Sequence, residues 1–282
     1  MISLFQTLAE SNRRFNRDKC WTAAVVISYF VLLSIVPVLA LFFFISSKLV
    51  GGTEIALRSL NLFTDEFFAR LDPEFFHKLA GLYSNISSLG IFGIVGSAIS
   101  ASFLFANLIS TLNVIFKVNI RRSFFYKRFM EYLTMLVLGI LMVFSLAITA
   151  FWTTLSRIIS QSDVIASYIN PTVIDLINNF FIQYLFPYGL TFLVFFIMYK
   201  YIPEVKVRRK AVVVPAALAA LFYEAFKRLF AFYVVNFSAV GIVMNRILQG
   251  TLASIIFFLL WITFSLVILL WGAELAAVMN EK

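Results

Sequence analysis

The sequence has 282 residues, of which 62% are hydrophobic and only 13% charged, whereas an average soluble domain is about 45–50% apolar and about 25% charged. Its apolar residues lie in long runs, which excludes an ordinary water-soluble domain and predicts a single all-α membrane domain over residues 1–282. The formal net charge of +9 is more typical of basic loops beside a membrane than of a nucleic-acid-binding surface, so no nucleic-acid partner is expected.

Six apolar runs are long enough to cross a bilayer, which needs about 20 residues per helix. Pro37 in the first span and Pro187 in the fourth are predicted hinges, because a proline inside a helix removes a backbone hydrogen bond. We predict a polar cytoplasmic lead-in at 1–19, followed by a polytopic bundle of six transmembrane helices at 21–47, 89–116, 129–155, 176–199, 211–235 and 251–278.

The segment 48–88, between the first two spans, combines apolar residues at helical spacing with charged residues. Asp72, Pro73 and Glu74 have the pattern of a helix start: an N-cap, a proline at the first position and an acid in the first turn. We predict that this insertion forms two short amphipathic helices on the outer, extracytoplasmic face.

Lysine and arginine residues are distributed unequally, with 15 in the predicted inner segments and 6 in the outer ones. Because cytoplasmic loops carry an excess of these residues, both termini are predicted to be cytoplasmic. Basic residues beside a membrane attract anionic lipid headgroups, at about 1 kcal/mol each. The residues expected to make these contacts are Arg121, Arg122, Lys127, Arg128, Arg208, Arg209 and Lys210.

Three charged residues, Glu224, Lys227 and Arg228, stand near the middle of the fifth span. Spacings of three and four residues bring both cations beside the glutamate on one helical face. Since an isolated charge at mid-bilayer costs about 2.5–3.5 kcal/mol, these groups must face one another, the protein interior or water. One interpretation is a polar cavity or pathway for a solute. The alternatives are an ion-pair cluster that fixes helix packing, or cations that extend to the membrane surface.

Three further residues of the spans, Glu274, Asn113 and Tyr29, are candidates for lining the same cavity. Glu274 could instead pair with a cation of the basic loops, or lie as an interfacial acid in the last turn of its helix. Asn113 and Tyr29 could equally form hydrogen bonds between helices.

The residues that most catalytic centres need are scarce. His77 is the only histidine, has no acids and cysteines at ligand spacing, and Cys20 is the only cysteine. The chain also has neither a phosphate-binding loop nor a zinc-protease motif. We therefore expect no catalytic residue, no metal site, no cofactor and no enzymatic activity.

Short motifs follow one another in a defined order from about Asp18 to Ala277. They are Ala23-Ala24 with Ser28-Tyr29, Leu33-Ser34 and Pro37, then Leu112-Asn113-Val114-Ile115-Phe116, Tyr201-Ile202-Pro203, Tyr223-Glu224 with Lys227, and Gly272-Ala273-Glu274-Leu275. In this order and spacing they resemble the YihY/BrkB family, once labelled ribonuclease BN-like. Tyr223 stands where that family usually has tryptophan, and Arg228 adds a second cation.

The resemblance implies a helical, multi-pass protein of the bacterial inner membrane. Members of the family are linked to serum resistance in pathogens and to export of envelope lipids, which implies transport without naming a substrate. Our first hypothesis is a transporter or flippase-like protein for an anionic or amphipathic, lipid-related solute, with a homo-oligomer possible. The alternative is a non-transporting envelope scaffold associated with virulence. A membrane-bound ribonuclease is the third and weakest hypothesis, because no residues are expected to hold a metal.

Overall fold

The structure, a computed structural model, describes residues 4–49, 90–118, 123, 125–141, 184–236 and 251–281. Regular secondary structure in these residues is α-helical apart from a π-helical turn at 184–185, which confirms the predicted all-α class. The helices are α1 (Leu4–Arg17), α2 (Cys20–Leu49), α3 (Gly90–Ile115), α4 (125–141), α5 (Phe186–Tyr201), α6 (Arg209–Asn236) and α7 (Thr251–Glu281).

The described helices agree closely with the predicted spans where the two can be compared. Ile255–Glu281 is the one helix long and apolar enough to cross a membrane among the residues whose side chains are described, and Cys20–Ser34 and Ile99–Ile115 are shorter apolar helices. The predicted insertion at 48–88 lies outside the described residues, apart from the end of α2. Both its amphipathic helices and the count of six spans therefore stay predictions.

The two predicted hinge prolines differ in position relative to their helices. Helix α2 continues on both sides of Pro37. Pro187 is the second residue of α5, whose first residue, Phe186, follows the π-helical turn at 184–185. A proline is well tolerated in a first turn, because the amide hydrogen that it lacks would have no partner within the helix.

The lead-in at 1–19 contains a helix, α1, which its polar composition alone does not predict. Thr7, Ser11 and Phe15 recur every four residues and are buried, so they form one face of α1, and α1 packs chiefly against α7. Lys19 then adopts a left-handed backbone conformation with a φ of 53°. This residue ends the first helical segment and turns the chain into α2.

Helix α7 is at the centre of the described bundle and packs against α1, α2 and α6, while α5 packs along α6 and α3 along α2. Hydrogen bonds also join the helices: the Tyr199 hydroxyl donates to the Leu269 carbonyl at 2.8 Å, and the Thr263 hydroxyl lies 2.9 Å from that of Ser28. Small residues allow α6 and α7 to approach closely. Those buried are Ala216, Ala219, Ala220, Ala273, Ala276 and Ala277.

Both ends of the chain meet at one end of the bundle. The Arg14 guanidinium contacts the Glu281 carboxylate through two hydrogen bonds of 2.8 Å. Lys117, just after α3, lies 2.8 Å from the same carboxylate, and Arg208, between α5 and α6, donates to the carbonyls of Met279 and Asn280. We call this the inner end, because the predicted inner segments lie there.

Candidate functional site

The charged residues of the fifth span form an ion pair and a separate stacked cation. Glu224 is 7% exposed, and its carboxylate lies 2.8 Å from the Lys227 ammonium. The other carboxylate oxygen accepts a hydrogen bond of 3.0 Å from the Thr191 hydroxyl of α5. Arg228 is exposed and lies 3.8 Å above the centre of the Tyr184 ring. The helical spacing thus brings Lys227 to the glutamate, whereas Arg228 contacts the neighbouring helix.

A cleft of about 390 Å³ opens between α5 and α6 beside these residues. Its lining is mostly apolar, with two charged side chains, Glu224 and Arg228. Glu224 is paired with Lys227, and the guanidinium of Arg228 is the positive group among the residues that line the cleft. The residues that line the cleft are Tyr184, Leu185, Tyr188, Leu221, Glu224, Ala225 and Arg228.

A second, more polar cavity of about 490 Å³ lies near the inner end. Asn113 lines it, and its side-chain oxygen accepts a hydrogen bond of 3.0 Å from the Glu204 backbone amide. Two lysines and two buried glutamates also face this cavity, so it presents both signs of charge. These residues are Lys117, Lys127, Glu131 and Glu204.

Glu131 joins the start of α4 to α3. Its carboxylate accepts a hydrogen bond of 2.7 Å from the Ser102 hydroxyl and lies 2.6 Å from the Arg128 guanidinium, which also contacts Ser102. Arg128, expected to face lipid headgroups, is therefore engaged with a buried acid. Arg208 is likewise engaged with the end of α7, whereas Lys127, Arg209 and Lys210 are exposed.

The remaining candidate residues lie apart from the α5–α6 cleft. Glu274 is completely buried near the inner end, and the Cys20 thiol lies 3.5 Å from one of its oxygens. Tyr29 is exposed on α2, where its ring packs against Phe30. Neither Glu274 nor Tyr29 is among the residues that line the two cavities described above.

Sequence reasoning missed several of these residues. Arg128 and Glu131 have the same spacing of three as Glu224 and Lys227, so the i,i+3 rule could have found that pair. The contacts of Thr191 and Tyr184 join different helices, and no local spacing signals them. In the described residues, no group of three or more His, Cys, Asp or Glu side chains could hold a metal ion.

Arg14 is the residue on which the inner-end contacts converge. Its guanidinium binds Glu281 and also lies 2.9 Å from Glu10. Hydrogen bonds from Arg14 and Arg13 lower the pKa of Glu10 below its ordinary value. The Arg14 side chain is only 12% exposed, although that of Glu281 is 41% exposed, so solvent screens part of this interaction.

We expect Arg14→Gln to lower the free energy of unfolding by about 1 kcal/mol, because a bidentate ion pair is lost from a partly screened site. Thermal unfolding in detergent measures this loss. Arg13→Gln removes the same charge from a side chain that is 76% exposed, so its effect should stay within about 0.5 kcal/mol. If both variants lose the same free energy of unfolding, the Arg14 ion pair does not specifically stabilise the contact between α1 and α7.

Comparison with known proteins gives one family and a group of relatives. The family described as virulence factor BrkB matches residues 11–282. A UPF0761 membrane protein of Acinetobacter baylyi is 28% identical over 272 residues, which cover 96% of this chain and 61% of the relative. UPF0761 membrane proteins of Vibrio campbellii and Vibrio parahaemolyticus are 28% and 29% identical, and the alignments cover 83% and 81% of those relatives and 100% and 96% of this chain.

The chain therefore spans less than two thirds of the Acinetobacter relative and most of each Vibrio relative. No solved structure matches it. The relatives are named membrane proteins and are similar to this chain over nearly its whole length, so this chain is a membrane protein.

Proposed function

This chain belongs to the virulence factor BrkB family of membrane proteins, and from that premise we propose that it moves an amphipathic, anionic solute, such as a lipid with an acidic headgroup, across a bacterial inner membrane. The proposal rests on the guanidinium of Arg228, which is stacked on Tyr184 in a mostly apolar cleft. Ligand sites are commonly clefts of about 300–1,000 Å³ with apolar walls and a few polar groups.

The chemistry of the cleft favours a solute with two parts. Apolar side chains such as Leu185 and Leu221 can cover a hydrocarbon segment, while a guanidinium binds phosphate or carboxylate through two parallel hydrogen bonds. Glu224 would repel an anion if it were unpaired, but Lys227 and Thr191 hold its two oxygens. Arg228 is the cation that lines this cleft beside the paired Glu224.

We also propose that the chain crosses the membrane six times with both termini in the cytoplasm. The contact between Arg14 and Glu281 supports this topology, because it requires α1 and the end of α7 to lie on the same side. Lys117 and Arg208 reach that side as well, as expected for an even number of crossings between the termini. The exposed Lys127, Arg209 and Lys210 are proposed to contact anionic headgroups there.

Arg228→Gln tests the cleft directly. In proteoliposomes carrying a fluorescent lipid, we expect the variant to move an anionic lipid at least about tenfold more slowly than the unsubstituted protein, which corresponds to about 1.4 kcal/mol. Its stability should change little, because Arg228 is exposed and its stacking on Tyr184 contributes about 0.5–1 kcal/mol.

Arg13→Gln is the matched control, since it removes an exposed arginine that does not line the cleft. A second measurement uses a lipid with a zwitterionic headgroup, whose movement should depend less on Arg228. If Arg228→Gln moves the anionic lipid as fast as the unsubstituted protein, the site is wrongly assigned. If it slows both lipids equally, the arginine does not act on headgroup charge.

A further inference from the structure

Glu274 is the most thoroughly buried acid in the described part of the chain, with no exposed surface. One of its oxygens faces the Cys20 thiol at 3.5 Å. The other has no hydrogen-bond partner among the described residues. A carboxylate that kept its charge in this position would have neither water nor a strong donor to stabilise it.

The cations near Glu274 have other anionic or carbonyl partners. Arg14 of α1 binds Glu10 and Glu281, and Arg17 binds Asp18 at 2.8 Å. On the remaining elements packed at this end, the charged groups are engaged elsewhere or exposed. Lys117 of the α3 end pairs with Glu281, Lys200 of α5 donates to the Val207 carbonyl, Arg208 binds the end of α7, and Arg209 and Lys210 of α6 are exposed.

Asp18, in the turn between α1 and α2, lies beside Glu274 and acts on it as a second carboxyl group. The Asp18 carboxyl group lies 2.8 Å from the Arg17 guanidinium, and two neighbouring carboxyl groups seldom both carry a negative charge in a buried site. Burial acts in the same direction, since it penalises the charged form of a carboxyl group. The complete burial of Glu274 and its unpartnered oxygen therefore favour a neutral, protonated side chain at this position.

We propose that Glu274, with Asp18 beside it, is a proton-binding site at the inner end of the bundle, and that this proton is coupled to solute movement. The proton passes from water to Asp18 and then to the free oxygen of Glu274, so that a carboxylate becomes a neutral acid. The reverse path returns it to water. The coupling depends on the proposed transport function, whereas the proton site itself does not.

Infrared spectroscopy of the protein in a detergent without ester groups tests the proton site without any transport assay. A protonated carboxyl group gives a carbonyl band distinct from that of a carboxylate. At neutral pH the unsubstituted protein should show such a band, Glu274→Gln should lack it, and Glu281→Gln should retain it, because Glu281 is ionised between Arg14 and Lys117. A missing band in the unsubstituted protein, or a band that persists in Glu274→Gln, would overturn the proposal.

The thiol of Cys20 provides a second readout that needs no substitution, in case Glu274→Gln does not fold. Cys20 is the only cysteine, so its S–H stretch is unique in the spectrum, and the thiol faces Glu274. Raising the pH until Glu274 ionises should lower the S–H frequency, because a carboxylate is the stronger acceptor. A frequency that stays constant while the carboxyl band disappears would contradict the assignment of that band to Glu274.

The coupling is tested in proteoliposomes with a pH gradient. Lipid movement by the unsubstituted protein should change severalfold with the gradient, whereas Glu274→Gln should be insensitive to it. If the rate of lipid movement by the unsubstituted protein does not change with the pH gradient, the coupling is wrong and the proton site is unaffected. If no lipid moves in any condition, the proposed function fails, and the infrared result still decides the proton site.

Discussion

Replacing Lys227 with methionine is expected to lower the free energy of unfolding by about 3 kcal/mol, because it leaves the carboxylate of Glu224 buried without its cation. The hydrogen bond from Thr191 remains, but it satisfies only one of the two oxygens. Methionine preserves most of the length and apolar character of the lysine side chain, so the loss reflects charge rather than packing. Thermal unfolding in detergent micelles, followed by tryptophan fluorescence, measures the change.

The double substitution Lys227→Met with Glu224→Gln is the decisive control. It removes both charges together, and the free energy of unfolding should recover to within about 1.5 kcal/mol of the unsubstituted protein, since a neutral amide needs no cation. If the double variant is as unstable as Lys227→Met alone, the loss comes from packing of the lysine stem.

The charged residues of the fifth span show which side-chain contacts can be predicted from residue spacing along a helix. A separation of three residues on a helix is sufficient to predict that Glu224 meets Lys227, because that neighbourhood is set by helix geometry. The same rule predicts that Arg228 also meets Glu224, yet its guanidinium stacks on Tyr184. A long side chain can contact partners on its own helix or on a neighbouring helix. The sequence alone does not show which helix packs beside α6.

Much of the helical architecture follows from the sequence for a similar reason. A bilayer requires long apolar helices, so runs such as 251–278 predict helices such as α7 closely. The lead-in lacks that signal, and α1 forms because Phe15 and its neighbours can dock on α7. The contact of Arg14 with Glu281 joins opposite ends of the chain, and therefore only the folded structure reveals it.

Gly272 is the position where the packing of α7 leaves least room, and Gly272→Ala is expected to lower the free energy of unfolding by about 2 kcal/mol. A methyl group there would lie 2.7 Å from the Cβ atom of Ala219 on α6, and it would overlap the Tyr199 hydroxyl of α5. The Tyr199 side chain has little room to move, because it is completely buried and its hydroxyl donates to the Leu269 carbonyl. The added methyl therefore forces either helix separation or loss of a buried hydrogen bond.

Gly189→Ala on α5 makes the same chemical change with the opposite expected sign. A Cβ atom at Gly189 meets nothing within 4 Å, so alanine should stabilise the helix by about 0.5–1 kcal/mol through its lower conformational entropy in the unfolded chain. Equilibrium unfolding of the two variants in the same detergent compares them directly. If both substitutions change the free energy of unfolding in the same direction, close packing at Gly272 is contradicted. Recovery of stability on adding Tyr199→Phe to Gly272→Ala would identify the hydroxyl as the obstructing group.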